Sequence, residues 1–225
     1  GPKFNPRKQE SPLGPEEPAN VARMAAQRNL RYVVITSVNR DDLPDGGSSH
    51  FAATVREVRQ ALPEARVEVL TPDFCGNLEA VARVLDAGPH VYNHNMETVP
   101  RLYRKVRPQA DYRQSLDVLA FAKNHAPQAL TKSGLMVGLG EEPQEVESLL
   151  RDLHSVHVDA VTIGQYLQPT RRNLPVAAYV TPGQFEQYRL AGLSIGIPMV
   201  FSGPFVRSSY MAEHLNEEMR PETGE

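Results

Sequence analysis

Residues 131–168, TKSGLMVGLGEEPQEVESLLRDLHSVHVDAVTIGQYLQ, constrain the fold more than any other part of the chain. Residues 133–139 form an apolar run too short for a helix and stopped by Gly140, so they predict a strand. Glu141, Glu142 and Pro143 then open a helix, with Val146, Leu149, Leu150 and Leu153 at i, i+3, i+4 and i+7 on one face. The acids are expected in its first turn, where the helix dipole favours negative charge. Residues 160–165 predict the next strand, which ends in the polar group Gln165, Tyr166, Gln168. Strand, helix and strand in so few residues make a βαβ unit. Its strands are therefore parallel, and the polar residues at both carboxyl ends share one side.

The same grammar runs along the rest of the chain. Residues 1–20 are rich in Pro, Gly and charge and predict an extended lead-in, with Gly1-Pro2 readable as an expression scar. A helix starts at Glu16-Glu17-Pro18 and buries Val21, Met24 and Ala25. Strands are expected at 32–37, 66–71, 90–93 and 199–202. Between them fall helices with Phe51, Val55, Val58 and Leu62, or Leu78, Val81, Ala82 and Leu85, on their buried faces. Ser48 or Ser49 is expected to cap the first of these two and Gly88 to end the second. Further helices are expected at 111–125 and 182–192. About six strands alternate with helices, an α/β pattern suited to a partial (βα)6 TIM-like barrel occupying 21–210, with 211–225 a tail.

Composition narrows the class. The net charge is −3, so no global basic field argues for nucleic acid or a membrane surface. No apolar run is long enough to span a bilayer, and no signal sequence opens the chain, which suggests a cytoplasmic protein. The single cysteine, Cys75, leaves no internal disulfide framework. No Gly-x-Gly-x-x-Gly follows the first strand, which argues against a dinucleotide fold.

Each expected strand is followed by polar residues: Asn39, Asp41, Asp42 and Asp45; Thr71 and Asp73; Asn93, His94, Asn95 and Glu97; Glu141 and Glu142; Gln165 and Gln168; Arg207, Ser208 and Ser209. Taken singly, most have plainer uses. The aspartates suit a solvated loop, Asn95 a turn, His94 a structural histidine, and Arg171-Arg172 ordinary surface charge. In a parallel barrel, however, all these clusters share the carboxyl-terminal mouth, where such enzymes keep their active sites.

The runs RYVVITSVNRDDLPDGGSSHF, LTPDF, YNHNMETVPRLYRKVRP, TKSGLMVGLGE, TIGQYLQPTRRNLPV and SGPFVRSSY closely resemble the lipoyl synthase family of radical S-adenosylmethionine (SAM) enzymes, over about residues 12–214. The resemblance implies a radical SAM barrel with SAM and two [4Fe–4S] clusters as cofactors, one cleaving SAM and an auxiliary one giving up its sulfur. The implied reaction inserts two sulfur atoms into a protein-bound octanoyl-lysine, with sulfurtransferase activity. The implied partners are lipoyl carrier domains (octanoylated E2 subunits or the glycine cleavage H protein) and a reductant such as ferredoxin or flavodoxin. Location would be cytoplasmic, or mitochondrial in a eukaryote.

On this resemblance, Asp45, Gly46 and Gly47 meet the methionine end of SAM, and Asn95 and Glu97 its ribose or methionyl group. Gly138, Glu141, Gln165 and Gln168 pack near the adenosine. Ser209, or else Ser208, matches a serine ligand of the auxiliary cluster, and Arg171, Arg172 and Arg207 are neighbours of the clusters or the carrier. The family pattern also has a first strand and a cysteine loop that GPKFNPRKQE does not supply. The chain as written is therefore expected to hold neither cluster through family ligands and to be inactive alone. The alternative is a cluster-free relative that keeps SAM or carrier binding.

Overall fold

The computed structural model describes residues 13–36, 40 and 42–209. In chain order the elements are α1 (Glu17–Gln27), β1 (Tyr32–Thr36), α2 (Ser48–Ala61), β2 (Arg66–Leu70), α3 (Leu78–Asp86), β3 (Val91–Asn93), the single turn α4 (Tyr103–Val106), α5 (Tyr112–His125), β4 (Leu130–Val137), α6 (Pro143–Ser155), β5 (Ala160–Gln165), α7 (Pro182–Ile195) and β6 (Met199–Ser202). All six strands are parallel and lie in sequence order, β1 to β6. Among the described residues β1 and β6 do not pair with each other, so the sheet is open.

Helices pack on their neighbours around the outside, α1 on α2, α2 on α3, α3 on α5 and α6 on α7. Between sheet and helices lie two apolar cores. One is built on β1 to β3 with Val55, Val58, Val67, Val69 and Val81; the other is built on β4 to β6 with Leu149, Leu150, Leu153, Val161 and Ile163. The α6 stripe Val146, Leu149, Leu150 and Leu153 is fully buried. Each such side chain contributes about 2 kcal/mol of transfer free energy, which is why periodicity alone located this helix.

The sheet's other face is polar and small. Lys132, Gly134, Thr162 and Gly164 alternate with the core residues of β4 and β5, so they point away from the helices. Glu68 of β2 and Lys132 of β4 are both completely buried there, with Lys132 Nζ 3.1 and 3.3 Å from the two Glu68 carboxylate oxygens. The Tyr32 hydroxyl donates to the same carboxylate at 2.7 Å and the Asn93 amide at 2.9 Å. The buried charges of Glu68 and Lys132 are thereby matched to each other.

Several local expectations change. The helix opened by Glu141 and Glu142 begins instead at Pro143, so both acids precede its first turn. Glu142 is the N-cap, and its backbone N–H donates to Glu145 at 2.8 Å in a capping box. Neither Ser48 nor Ser49 caps α2. Gly47 stands at the N-cap in a left-handed conformation (φ 83°), and the Asp45 carboxylate accepts from the N–H of Gly47 and of Ser49, both at 3.0 Å. Met24 is 57% exposed, and α1 buries Pro18 and Ala22 beside the expected Ala25. Helix α1 starts at Glu17, inside the expected lead-in of 1–20. Gly88 does follow α3 as expected, with φ 80° and its N–H on the Leu85 carbonyl. Ser37, Asn39, Asp41 and the tail 211–225 lie outside the described residues.

Candidate functional site

The loops that follow the strands all open at one end of the sheet, because every strand is parallel. There a cavity of about 490 Å³ is lined by Asn95, Glu97, Gln165, Arg207 and Ser208 of the expected residues, together with Leu70, Gly134, Leu135, Met136, Thr162, Gly164, Leu167 and Val206. Its volume is in the range of small-molecule sites.

Glycines make the room. Gly134 pairs with Thr162 across β4 and β5, and a Cβ on Gly134 would lie 2.8 Å from both Asn95 Oδ1 and Thr162 Oγ1. Asn95 Oδ1 is buried and has no hydrogen-bond partner. Leaving a buried acceptor unpaired costs about 1–3 kcal/mol, and Asn93 Oδ1 and Thr98 Oγ1 are unpaired in the same way, but of the three residues only Asn95 lines the cavity.

Glu97 sits beside it with a left-handed backbone (φ 67°), its N–H on the Gly134 carbonyl and its carbonyl accepting from Met136. Burial pushes its carboxyl above the usual carboxylate range, against the pull of the Arg107 guanidinium and the Asn95 amide. Arg107 lies over the Tyr103 ring and donates to the Asn95 carbonyl at 3.1 Å. An acid with a raised pKa beside an orphan acceptor is a common signature of a functional cavity.

The other expected residues do structural work around this centre. Gln165 lines the cavity and pins the 166–180 loop: its Nε2 donates to the carbonyls of Tyr166 and Ala178, both at 2.9 Å, and its Oε1 accepts from Val180 at 2.9 Å. Gly138 (φ 97°) lies against that amide, where a Cβ would come within 2.3 Å of Gln165 Nε2. The Glu141 carboxylate closes its own loop on the N–H groups of Gly138 and Leu139, at 2.6 and 2.9 Å. Gln168 bonds the Asn173 carbonyl at 2.8 Å.

Asp45, Gly46 and Gly47 stand apart from the cavity lining, with Gly46 against the Phe74 ring. Arg171, Arg172 and Ser209 are exposed. Ser208, rather than Ser209, is the serine that lines the cavity.

The sequence reading missed Gly134, Thr162, Gly164, Val206 and Arg107. Only Arg107 carried a visible sign, its place in the basic run Arg104, Lys105, Arg107.

A profile for the radical SAM superfamily matches residues 2–153. The chain is 55% identical over 205 residues to the lipoyl synthase of Rubrobacter xylanophilus, 55% over 202 residues to that of Caldanaerobacter subterraneus and 55% over 204 residues to that of Thermus thermophilus. The chain belongs to the lipoyl synthase family of the radical SAM superfamily. These matches cover 91%, 90% and 90% of the chain and 64%, 71% and 63% of the relatives, so it spans about two thirds of their length.

Among solved structures, the fold is similar to methylornithine synthase (TM-score 0.59, 15% identity, 85% of this chain and 63% of that one). It is also similar to HydG, a maturase of the [FeFe]-hydrogenase (TM-score 0.65, 15% identity, 87% and 47%). The fold is therefore the partial, TIM-barrel-like α/β architecture of radical SAM enzymes.

The family implies SAM and [4Fe–4S] clusters. The cavity residues fit SAM: an orphan acceptor and an acid suit hydroxyl or ammonium donors, Leu135, Met136 and Leu167 offer apolar surface, and Gly134 and Gly164 leave space. The clusters are not matched by this chain's own residues. They are held mainly by thiolates, and the chain has one cysteine, Cys75, which is exposed. Among the described residues no group of three His, Cys, Asp or Glu is placed to hold a metal ion, and no helix is long and apolar enough to cross a membrane.

Proposed function

We propose that the chain is the SAM-binding barrel of a cytoplasmic lipoyl synthase, the enzyme that inserts two sulfur atoms into a protein-bound octanoyl-lysine. The unpartnered Asn95 Oδ1 beside the Glu97 carboxyl, in a cavity walled by glycine, is the observation that carries this reading. Asn95 and Glu97 would hold the ribose or the methionyl ammonium of SAM, and the backbone at Gly134 and Gly164 would let the ligand lie against the sheet. SAM, when bound and reduced, supplies the hydrogen-abstracting chemistry of the family. The protein's part is to orient it, to keep water from it and to present the acyl chain.

Exposed Arg171, Arg172 and Arg207, with the exposed Leu167 beside the cavity, support docking of an octanoylated carrier domain at this mouth. Ser208, or Ser209 as the resemblance favours, would be the serine facing an auxiliary cluster. Asp45-Gly46-Gly47 would reach SAM only through a ligand extending beyond the cavity toward β1, and Gly138, Glu141 and Gln168 would act by holding the loops near the adenosine.

A second reading is a relative that binds SAM or the carrier without clusters. Titration of the chain with SAM tests the shared claim. Saturable binding that weakens about tenfold or more in Asn95→Ala is expected, and absence of binding to the wild-type chain overturns it. Iron and sulfide analysis of the anaerobically reconstituted full-length protein then separates the two readings.

A further inference from the structure

Residues 203–209 leave β6 and turn back across the mouth, and the way they are seated is not explained by sheet pairing. The Gly203 N–H donates to the Ile163 carbonyl at 3.0 Å, and the Val206 N–H to the Gly203 carbonyl at 3.1 Å. The strap then lays its backbone directly on Gly164. A Cβ there would be 2.1 Å from the Val206 carbonyl oxygen and 3.1 Å from its carbon, a separation that no side chain survives. Gly164 has no positive φ to explain its being glycine. Close approach of the strap is the remaining reason.

A second anchor comes from below. Asn93, 1% exposed, directs its Nδ2 at 2.9 Å to Glu68 and, at the long end of hydrogen bonding, 3.5 Å, to the Ser208 carbonyl. Its amide is fixed in that sense because Glu68 accepts from Lys132 and Tyr32 as well, leaving the carboxylate an acceptor only. Val206, Arg207 and Ser208 of the strap form one wall of the cavity.

We infer that Gly164 and Asn93 are positioning residues: together they register the 203–209 strap over the mouth, and the buried Glu68–Lys132 pair orients Asn93 for that purpose. Gly164 sets how closely the strap lies and Asn93 how far along it sits, so the two fix where the Arg207 and Ser208 side chains stand. The inference concerns the strap alone and holds whichever ligand the cavity takes.

Hydrogen exchange followed by mass spectrometry on the whole chain tests it, with Gly164→Ala, Asn93→Ala and, as a control, Gly183→Ala in α7, whose Cβ would make only an ordinary contact, 3.9 Å from Thr181 Oγ1. In the first two variants exchange in peptides spanning 203–209 is expected to rise about tenfold, while peptides from α6 and β4 keep wild-type protection. The control should not change the strap.

If Gly164→Ala loosens the whole sheet, Asn93→Ala decides, since it removes one amide and inserts nothing. Wild-type strap exchange in Asn93→Ala overturns the inference, as does equal loosening of strap and sheet in that variant. SAM titration of the same variants reads the consequence, a raised Kd. If the wild-type chain fails to bind SAM, the proposed function falls while the exchange data still judge the strap.

Discussion

Glu97 shows most clearly how one residue here serves the cavity at the expense of the fold. Its backbone occupies a region that side chains rarely adopt, and its carboxyl is pushed up by burial. A carboxyl whose folded pKa is raised binds its proton more tightly in the native state, so ionisation above the ordinary carboxylate range destabilises the fold. Glu97→Gln keeps the shape and removes that charge. Its melting temperature at pH 7.5 is therefore expected to exceed the wild-type value by about 2 °C, while SAM binding falls. Calorimetry at pH 7.5 and pH 4 checks the sign, because the advantage must shrink as the wild-type acid becomes protonated. A lower melting temperature in the variant would show that Arg107 and Asn95 outweigh burial.

At the scale of elements, the loops around the mouth are stiffened by single side chains. Gln165 makes three hydrogen bonds that tie the strand end to a long loop without helix or strand. Gln165→Leu should cost about 1–3 kcal/mol and speed tryptic cleavage at Arg171 and Arg172, and cleavage at the wild-type rate would remove Gln165 from this role. Under the mouth, His94 is wholly buried, with Nδ1 on the Thr71 carbonyl at 3.0 Å and Nε2 on the Ser115 hydroxyl at 2.9 Å. Burial lowers its pKa to about 4, and half-buried His90, near Arg66 and Arg59, is also lowered to about 4.

A base with a depressed folded pKa binds fewer protons folded than unfolded. Stability from both histidines is thus complete above about pH 6.5 and is lost as pH falls toward 4. Melting curves from pH 7.5 to 4.5 should show that decline, and His94→Asn should flatten it; a profile flat over this range in the wild type would contradict the assignment.

These elements were legible in the sequence because burial of one helix face or of a whole parallel strand leaves a periodic apolar trace, as in Val146, Leu149, Leu150 and Leu153. The cavity was only half legible. Asn95 and Glu97 carry chemistry in their side chains, but Gly134, Thr162 and Gly164 matter through what they lack, and that acquires meaning only once β4 and β5 are in register. Asp45 and Glu141 are conspicuous in the sequence for their carboxylates, and what the sequence does not show is that both accept from the N–H groups of their own loops.

Over the whole molecule, the decisive feature is an interior that is polar on the concave side and apolar beneath the helices. Glu68, Lys132, Tyr32 and Asn93 come from four consecutive strands, β2, β4, β1 and β3, so this network ties the first two thirds of the sheet together. A buried ion pair adds little net stability over a well-packed apolar pair, but removing one partner strands a charge in a medium that cannot solvate it, at about 3–5 kcal/mol. Lys132→Met is therefore expected to lower the melting temperature by about 10 °C for a chain of this size. Adding Glu68→Gln to the same chain removes the stranded charge and leaves an amide that still accepts from Tyr32, so the double variant should recover at least half of the loss. Denaturant unfolding of the wild type, the two single variants and the double variant closes the cycle. A double variant no more stable than Lys132→Met would mean that the lysine acts by packing its stem rather than by matching Glu68. A coupling near zero would detach this network from the cohesion of the sheet and from the orientation of Asn93 beneath the strap.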